Sequence, residues 1–218
     1  MILRITLLTL IVLSIATNPA VAQNDVYDNG PTDGQDWAYV INFGYVTSDS
    51  FTYNNPNSCG WGGQPCPING VVFSAWLYPW DALQSAEVSI TSSEYGGTTY
   101  FDQIVSFTQS SCFSNDMGFN VCTESSSFPD VYLNSGTYWL NLQNAQSTIG
   151  DPVYWDMNSG PSLASSSSVG TIPSESFTIL GATTSSCLDC YTTPELSSFV
   201  LLASGLLGLL LTGSRKYL

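Results

Sequence analysis

Apolar and polar residues alternate along the middle of the chain in short runs broken by turn formers, and this period of two is that of half-buried β-strands. Trp37 to Tyr45 (WAYVINFGY) and Val71 to Tyr78 (VVFSAWLY) are aromatic and β-branched, while Ala86 to Thr91 (AEVSIT) and part of Phe101 to Thr108 (FDQIVSFT) alternate. Thr137 to Leu142 (TYWLNL), Val153 to Met157 (VYWDM) and Ser176 to Leu180 (SFTIL) continue the pattern. Asn-Gly, Ser-Gly, Gly-Gly and Pro-containing segments lie between them and supply the positive or fixed φ values of turns. Ser92 to Thr99 (SSEYGGTT) reads as the turn of a hairpin joining the Ala86 and Phe101 strands, and Ser162 to Ser168 (SLASSSS) reads as an exposed loop. Many short strands without an amphipathic helix predict an all-β fold, an antiparallel β-sandwich of jelly-roll type, with a barrel as the alternative. Its span, residues 23–181, suits one domain with a single core.

The two ends follow a different pattern. Arg4 precedes an apolar stretch from Ile5 to Ala16, then Pro19 and the small-residue triplet Ala20-Val21-Ala22, which predicts a secretory signal peptide over residues 1–22 cleaved before Gln23. A Ser/Thr/Cys-rich tether follows the body over residues 182–193. Leu196 to Thr212 carries no charge and reaches the short end of a bilayer span as a transmembrane helix. Arg215 and Lys216 come directly after it, as expected of the cytoplasmic flank of a stop-transfer helix.

Pro194-Glu195-Leu196, the apolar Leu- and Gly-rich span and the terminal Arg215-Lys216 pair together resemble the PEP-CTERM sorting signal of Gram-negative bacteria. Leu196 stands where that family has its second Pro. The resemblance covers residues 194–218 and implies processing by an exosortase-type membrane protease-transpeptidase. It further implies passage through the inner membrane and delivery to the cell envelope or extracellular matrix, in bacteria that produce exopolysaccharide.

Charge narrows the partners. The chain has three Lys and Arg, no His and seventeen Asp and Glu, and no cationic side chain lies between Arg4 and Arg215. Nucleic acid is excluded as a partner, because phosphate binding needs cations to displace counterions. Anionic polymers are repelled unless divalent ions bridge them. Without His, and with its one Lys in the terminal pair, the body has no imidazole base, Schiff-base amine or Ser-His-Asp triad. A paired-carboxylate glycosidase is the enzyme class that passes this test, with Glu87, Glu94, Asp102 and Glu124 as candidates, but their spacing marks no site. The expectation is a non-catalytic protein.

Six cysteines in an exported chain predict disulfides. Cys59 and Cys66 flank a Gly-rich loop, Cys112 and Cys122 flank a turn, and Cys187 and Cys190 form a C-x-x-C, so local pairs are expected. No cofactor is called for, calcium excepted: Asp28, Asp33 and Asp36, in a Gly-containing stretch running from Asp25, offer the oxygens that a hard cation needs. Asp151 and Asp156 form a second, weaker cluster. Carbohydrate is the other small partner considered, because Trp faces can stack on sugar rings. Trp76 and Trp139 lie inside strand-like runs and are expected in the core; Trp61, Trp80 and Trp155 are the candidates for exposure and extracellular polysaccharide binding.

Overall fold

A computed structural model describes residues 23–54 and 66–182. The signal segment, Cys59 and Trp61, the tether from 183 with Cys187 and Cys190, and the sorting motif Pro194, Glu195 and Leu196 with Arg215 and Lys216 lie outside the described residues. The strands are β1 (Gln23–Asp28), β2 (Ala38–Val40), β3 (Val46–Tyr53), β4 (Ile68–Leu77), β5 (Leu83–Ser93), β6 (Gly96–Ser106) and β7 (Thr108–Ser114). They continue with β8 (Asn120–Val131), β9 (Gly136–Ser147), β10 (Tyr154–Asp156), β11 (Ala164–Ser166), β12 (Gly170–Ile172) and β13 (Phe177–Ala182). Every pairing is antiparallel and the strands form two sheets, a β-sandwich.

Sheet one is built on β4, which β8 flanks along its whole length, with β7 outside β8. On the other side of β4, β13 pairs with Ile68 to Phe73 and β10 pairs with Ala75 and Trp76, so β10 and β13 lie end to end on one line. Next to that line, β2 flanks β10 and β1 flanks β13. The chain therefore leaves sheet one twice at the same level, through residues 29–37 and residues 157–176. The second excursion carries β11 and β12 to sheet two, whose order is β12-β11-β3-β9-β5-β6. At its neck a Met157–Glu175 bridge and the bonds Asn158 N to Ser174 O (2.8 Å) and Ser176 N to Asp156 O (2.8 Å) bring the two arms together.

Alternation fills the space between the sheets. Val71, Phe73, Ala75 and Leu77 of β4 face Ala86, Val88 and Ile90 of β5, Leu140 and Leu142 of β9, and Phe51 and Tyr53 of β3, all buried. Each such side chain contributes roughly 1.5 to 3 kcal/mol on removal from water, which makes this layer the main source of stability.

Several sequence expectations need correction. The strand expected from Trp37 to Tyr45 stops at Val40, because Phe43 (φ 55°) and Gly44 (φ 85°) turn the chain into β3. Ser162 to Ser168 is not an exposed loop: it contains β11, whose Ala164, Ser165 and Ser166 are buried against β3. The acidic stretch from Asp25 begins as strand β1 and becomes a loop only after Asp28. The Ser92–Thr99 hairpin forms as expected between β5 and β6, as does the disulfide Cys112–Cys122, which joins directly opposed residues of β7 and β8. Cys66 is also disulfide-bonded.

Candidate functional site

The outer face of sheet one carries an aromatic groove of about 240 Å³ lined by Trp37, Ala38, Trp76, Met117, Phe119 and Tyr154. Strand alternation creates it. In β4 the residues between the core positions turn outward, so Trp76 lies on the outer face, and Tyr154 sits beside it as its cross-strand partner. Trp37 leads into β2 at the edge and is more than half exposed. The β7–β8 turn supplies the remaining wall. Asn115 Oδ1 accepts the backbone N–H groups of Met117 (3.1 Å) and Phe119 (2.9 Å), which holds that turn over the sheet. Phe119 then packs against Tyr78 (4.9 Å between centroids), Trp76 (5.6 Å) and Tyr154 (5.7 Å). Trp37, Phe119 and Tyr154 are partly exposed above the buried Trp76 and form a shallow apolar platform.

Asp156 lies behind the groove. Trp76 Nε1 donates to its Oδ1, and its Oδ2 accepts from the Thr32 hydroxyl and from Gly34 N. Gly34 (φ 65°) leaves no room for a Cβ, which would meet the Phe113 ring at 2.6 Å. Burial pushes the Asp156 carboxyl up to about 6, although the bonds from Thr32 and Trp76 oppose that rise. The Tyr154 phenol is likewise raised, by burial and by neighbouring Tyr78.

A second, polar groove of about 360 Å³ lies where the chain leaves sheet one, between Asp28–Asp33 and Asn158–Pro161. Asn158 Nδ2 ties the two walls by donating to the carbonyls of Asn29 (2.8 Å) and Gly30 (3.2 Å).

The expected site residues separate on this frame. Trp80 is 92% exposed in the turn after β4, two residues beyond Tyr78. Trp155 is fully buried, contrary to expectation. With Tyr154 and Asp156 outward, the period of two sends Trp155 into the core, edge-on to Phe73 and Phe177, and its Nε1 donates to Ser176 O at 2.9 Å. Trp76 is buried as expected, but beneath Phe119 on the outer face rather than between the sheets, and Trp139 is half-buried. Asp28, Asp33 and Asp36 do not converge. Asp28 Oδ1 caps Gly30 N (2.9 Å) and Asp33 Oδ1 accepts Gln35 N (3.0 Å) and Asp36 N (3.4 Å), the local role of Asp in turns. Among the described residues no group of three or more carboxylate, Cys or His side chains is arranged to hold a metal ion.

Of the carboxylates considered for glycoside chemistry, Glu87 is held by Gln143 (2.6 Å) and Asn144 (2.7 Å), and Glu94 stands at the β5–β6 hairpin tip. Asp102 is exposed on β6, and Glu124 is sealed inside the core. Sequence reading overlooked Trp37, Phe119 and Tyr154. Alternation around Trp155 could have signalled Tyr154, whereas Phe119 depends on a turn geometry that spacing does not reveal. No protein-family model, no curated protein and no solved structure matches this chain.

Proposed function

We propose that the protein is an exported, non-catalytic module of the cell surface or extracellular matrix that holds neutral polysaccharide on the aromatic groove of sheet one. The observation that carries this reading is the cluster of Trp37, Phe119 and Tyr154 around one open groove backed by the buried Trp76. Sugar rings stack on such faces through their C–H surfaces, while polar groups at the rim take the hydroxyls. The absence of cations between Arg4 and Arg215 favours an uncharged polymer over uronic or sulfated ones. Lack of imidazole and amine side chains in the body supports a binding role over catalysis.

Export, signal cleavage before Gln23, sorting through Pro194-Glu195-Leu196 and an inner-membrane stage belong to the same reading, as does a jelly-roll order of connections. The support for export and sorting is the sequence layout of the two ends. Affinity electrophoresis of the purified full chain through gels containing neutral polysaccharides tests the binding claim. Retardation by at least one polymer is expected, with affinity falling about tenfold in Trp37→Ala and Tyr154→Ala, as central aromatic contacts cost roughly 1 to 2 kcal/mol. Equal mobility of wild type and both variants in every gel would sink it. Fractionation tests export separately: a chain kept in the cytoplasm with its first residues intact contradicts that half.

A further inference from the structure

Where the chain leaves sheet one, the interior of the sandwich changes from apolar to acidic. Phe177 and Ile179 of β13 face the core, and the same alternation carried back two residues turns Glu175 inward. Glu175 is fully buried and neither of its carboxylate oxygens has a hydrogen-bond partner. From the opposite sheet Asp49, in the inward row with Phe51 and Tyr53, is also fully buried. Its Oδ2 accepts Glu175 N (2.7 Å) and Asn29 Nδ2 (3.2 Å), but its Oδ1 has no partner. Three buried carboxylate oxygens thus lie without donors in a body that has no cationic side chain to offer them. Such groups normally cost several kcal/mol unless paired.

Neutral polar groups gather beside Asp49. Besides Asp49, Asn29 Nδ2 faces Ser174 Oγ at 2.5 Å, the Glu175 carbonyl at 2.6 Å and Ser162 Oγ at 2.7 Å. An amide nitrogen has two hydrogens and cannot serve four acceptors. Gly160 closes the side, since a Cβ there would meet Asn29 O at 2.3 Å and Ser174 Oγ at 2.7 Å. Burial raises the Asp49 carboxyl to about 6 against hydrogen bonds from Ser162, Ser174 and the backbone of Glu175 and Ser50, and burial with the nearby charges of Asp49 and Asp156 raises Glu175 well above the usual carboxylate range.

The geometry points to a structural calcium site inside the sandwich, with Asp49 and Glu175 as its charged ligands and Ser162, Ser174 and Asn29 as neutral ones. Calcium takes six to eight oxygens in irregular geometry, whereas magnesium demands an octahedron and keeps its waters. Two carboxylates balance one divalent ion. A half-turn of the Asn29 amide presents Oδ1 in place of Nδ2, and its partner, the Tyr27 hydroxyl, can accept as readily as donate. Asp156 is not part of the set, because its carboxylate is held on the outer face by Trp76 and Thr32. Asn29 also lines the polar groove between Asp28–Asp33 and Asn158–Pro161. This site is separate from the Asp28, Asp33 and Asp36 turn and independent of the carbohydrate reading.

The test uses the purified full chain, stripped with chelator and then melted at neutral pH with and without millimolar calcium, with metal content measured after desalting. About one calcium per chain and a rise in Tm of about 5 °C are expected. The Asp49→Asn/Glu175→Gln variant removes both buried charges at nearly constant shape. It should lose the calcium response and, without calcium, melt above the stripped wild type. No bound calcium together with an unchanged Tm in the wild type would overturn the proposal, and so would an undiminished calcium shift in this variant. Should the variant fail to fold, an Asp28→Asn/Asp33→Asn/Asp36→Asn variant decides: a retained calcium shift supports the interior site, a lost one overturns it.

Discussion

Glu124 sits on β8 directly opposite Phe73 of β4, between Cys122 and Ser126 on the face that packs against sheet two. Neither of its oxygens has a hydrogen-bond partner, and burial alone pushes its carboxyl up to about 8. The folded protein therefore holds this proton more tightly than the unfolded chain does. The stability it contributes is full below about pH 4.5 and is lost as pH rises through about 8. Asp49 and Asp156, raised to about 6, act in the same direction over a lower range. Melts across this range should show Tm falling as pH rises, and Glu124→Met should flatten the upper part of the slope. At pH 8 that variant should gain about 1 kcal/mol or more, since a buried polar group without partners is removed at similar volume. A Tm unchanged or lowered at pH 8 would contradict this account. The inward acid was not legible in the sequence, because a carboxylate in a Ser-rich run reads as solvent-exposed; Trp155 misled in the same way, by standing next to an Asp that is itself buried.

At the scale of elements, the β7–β8 hairpin is the part of the groove least supported by the core. β7 is an edge strand with most of its side chains exposed, and Cys112–Cys122 ties it to β8 just before the turn that carries Met117 and Phe119. Replacing both cysteines by Ala should cost about 2 to 3 kcal/mol in a denaturant titration, as expected for a short loop freed in the unfolded state. Polysaccharide affinity should fall with it, and a cost below about 0.5 kcal/mol would show the hairpin to be held by packing alone. Strands rich in aromatic and β-branched residues, β4 and β5 above all, were legible from alternation, as was the β5–β6 hairpin. β3 and β11 were not, because their buried Ser and Thr find partners on neighbouring strands and loops, and β8 was not, because its buried Glu124 and Ser126 read as solvent-facing. Ser48 donates to Asn141 Oδ1 (2.6 Å), Asn141 Nδ2 reaches Thr91 (2.9 Å), and Tyr95 from the hairpin tip donates to Ser165 (2.7 Å). Such a network satisfies buried polar groups across strands, which a hydrophobicity pattern cannot register.

The whole molecule combines a formal charge of −14 with a body that lacks any cationic side chain. Salt bridges within that body are ruled out by composition, so added salt can screen only repulsions. Tm should therefore rise steadily as sodium chloride goes from about 10 mM to about 500 mM, over which the screening length falls from about 30 Å to a few ångströms. A falling Tm would mean that favourable electrostatics dominate after all. At this scale the all-β class and the single two-sheet body were legible, while the double departure from sheet one was not, since only pairing shows that β10 and β13 share one line. The last described strand has a mechanical meaning. β13 is flanked on both sides, by β1 and by β4, and its end at Ala182 pairs with Gln23 at the start of the body. Under the proposed C-terminal sorting, tension entering along β13 would load two ladders of hydrogen bonds in shear at once instead of unzipping one edge.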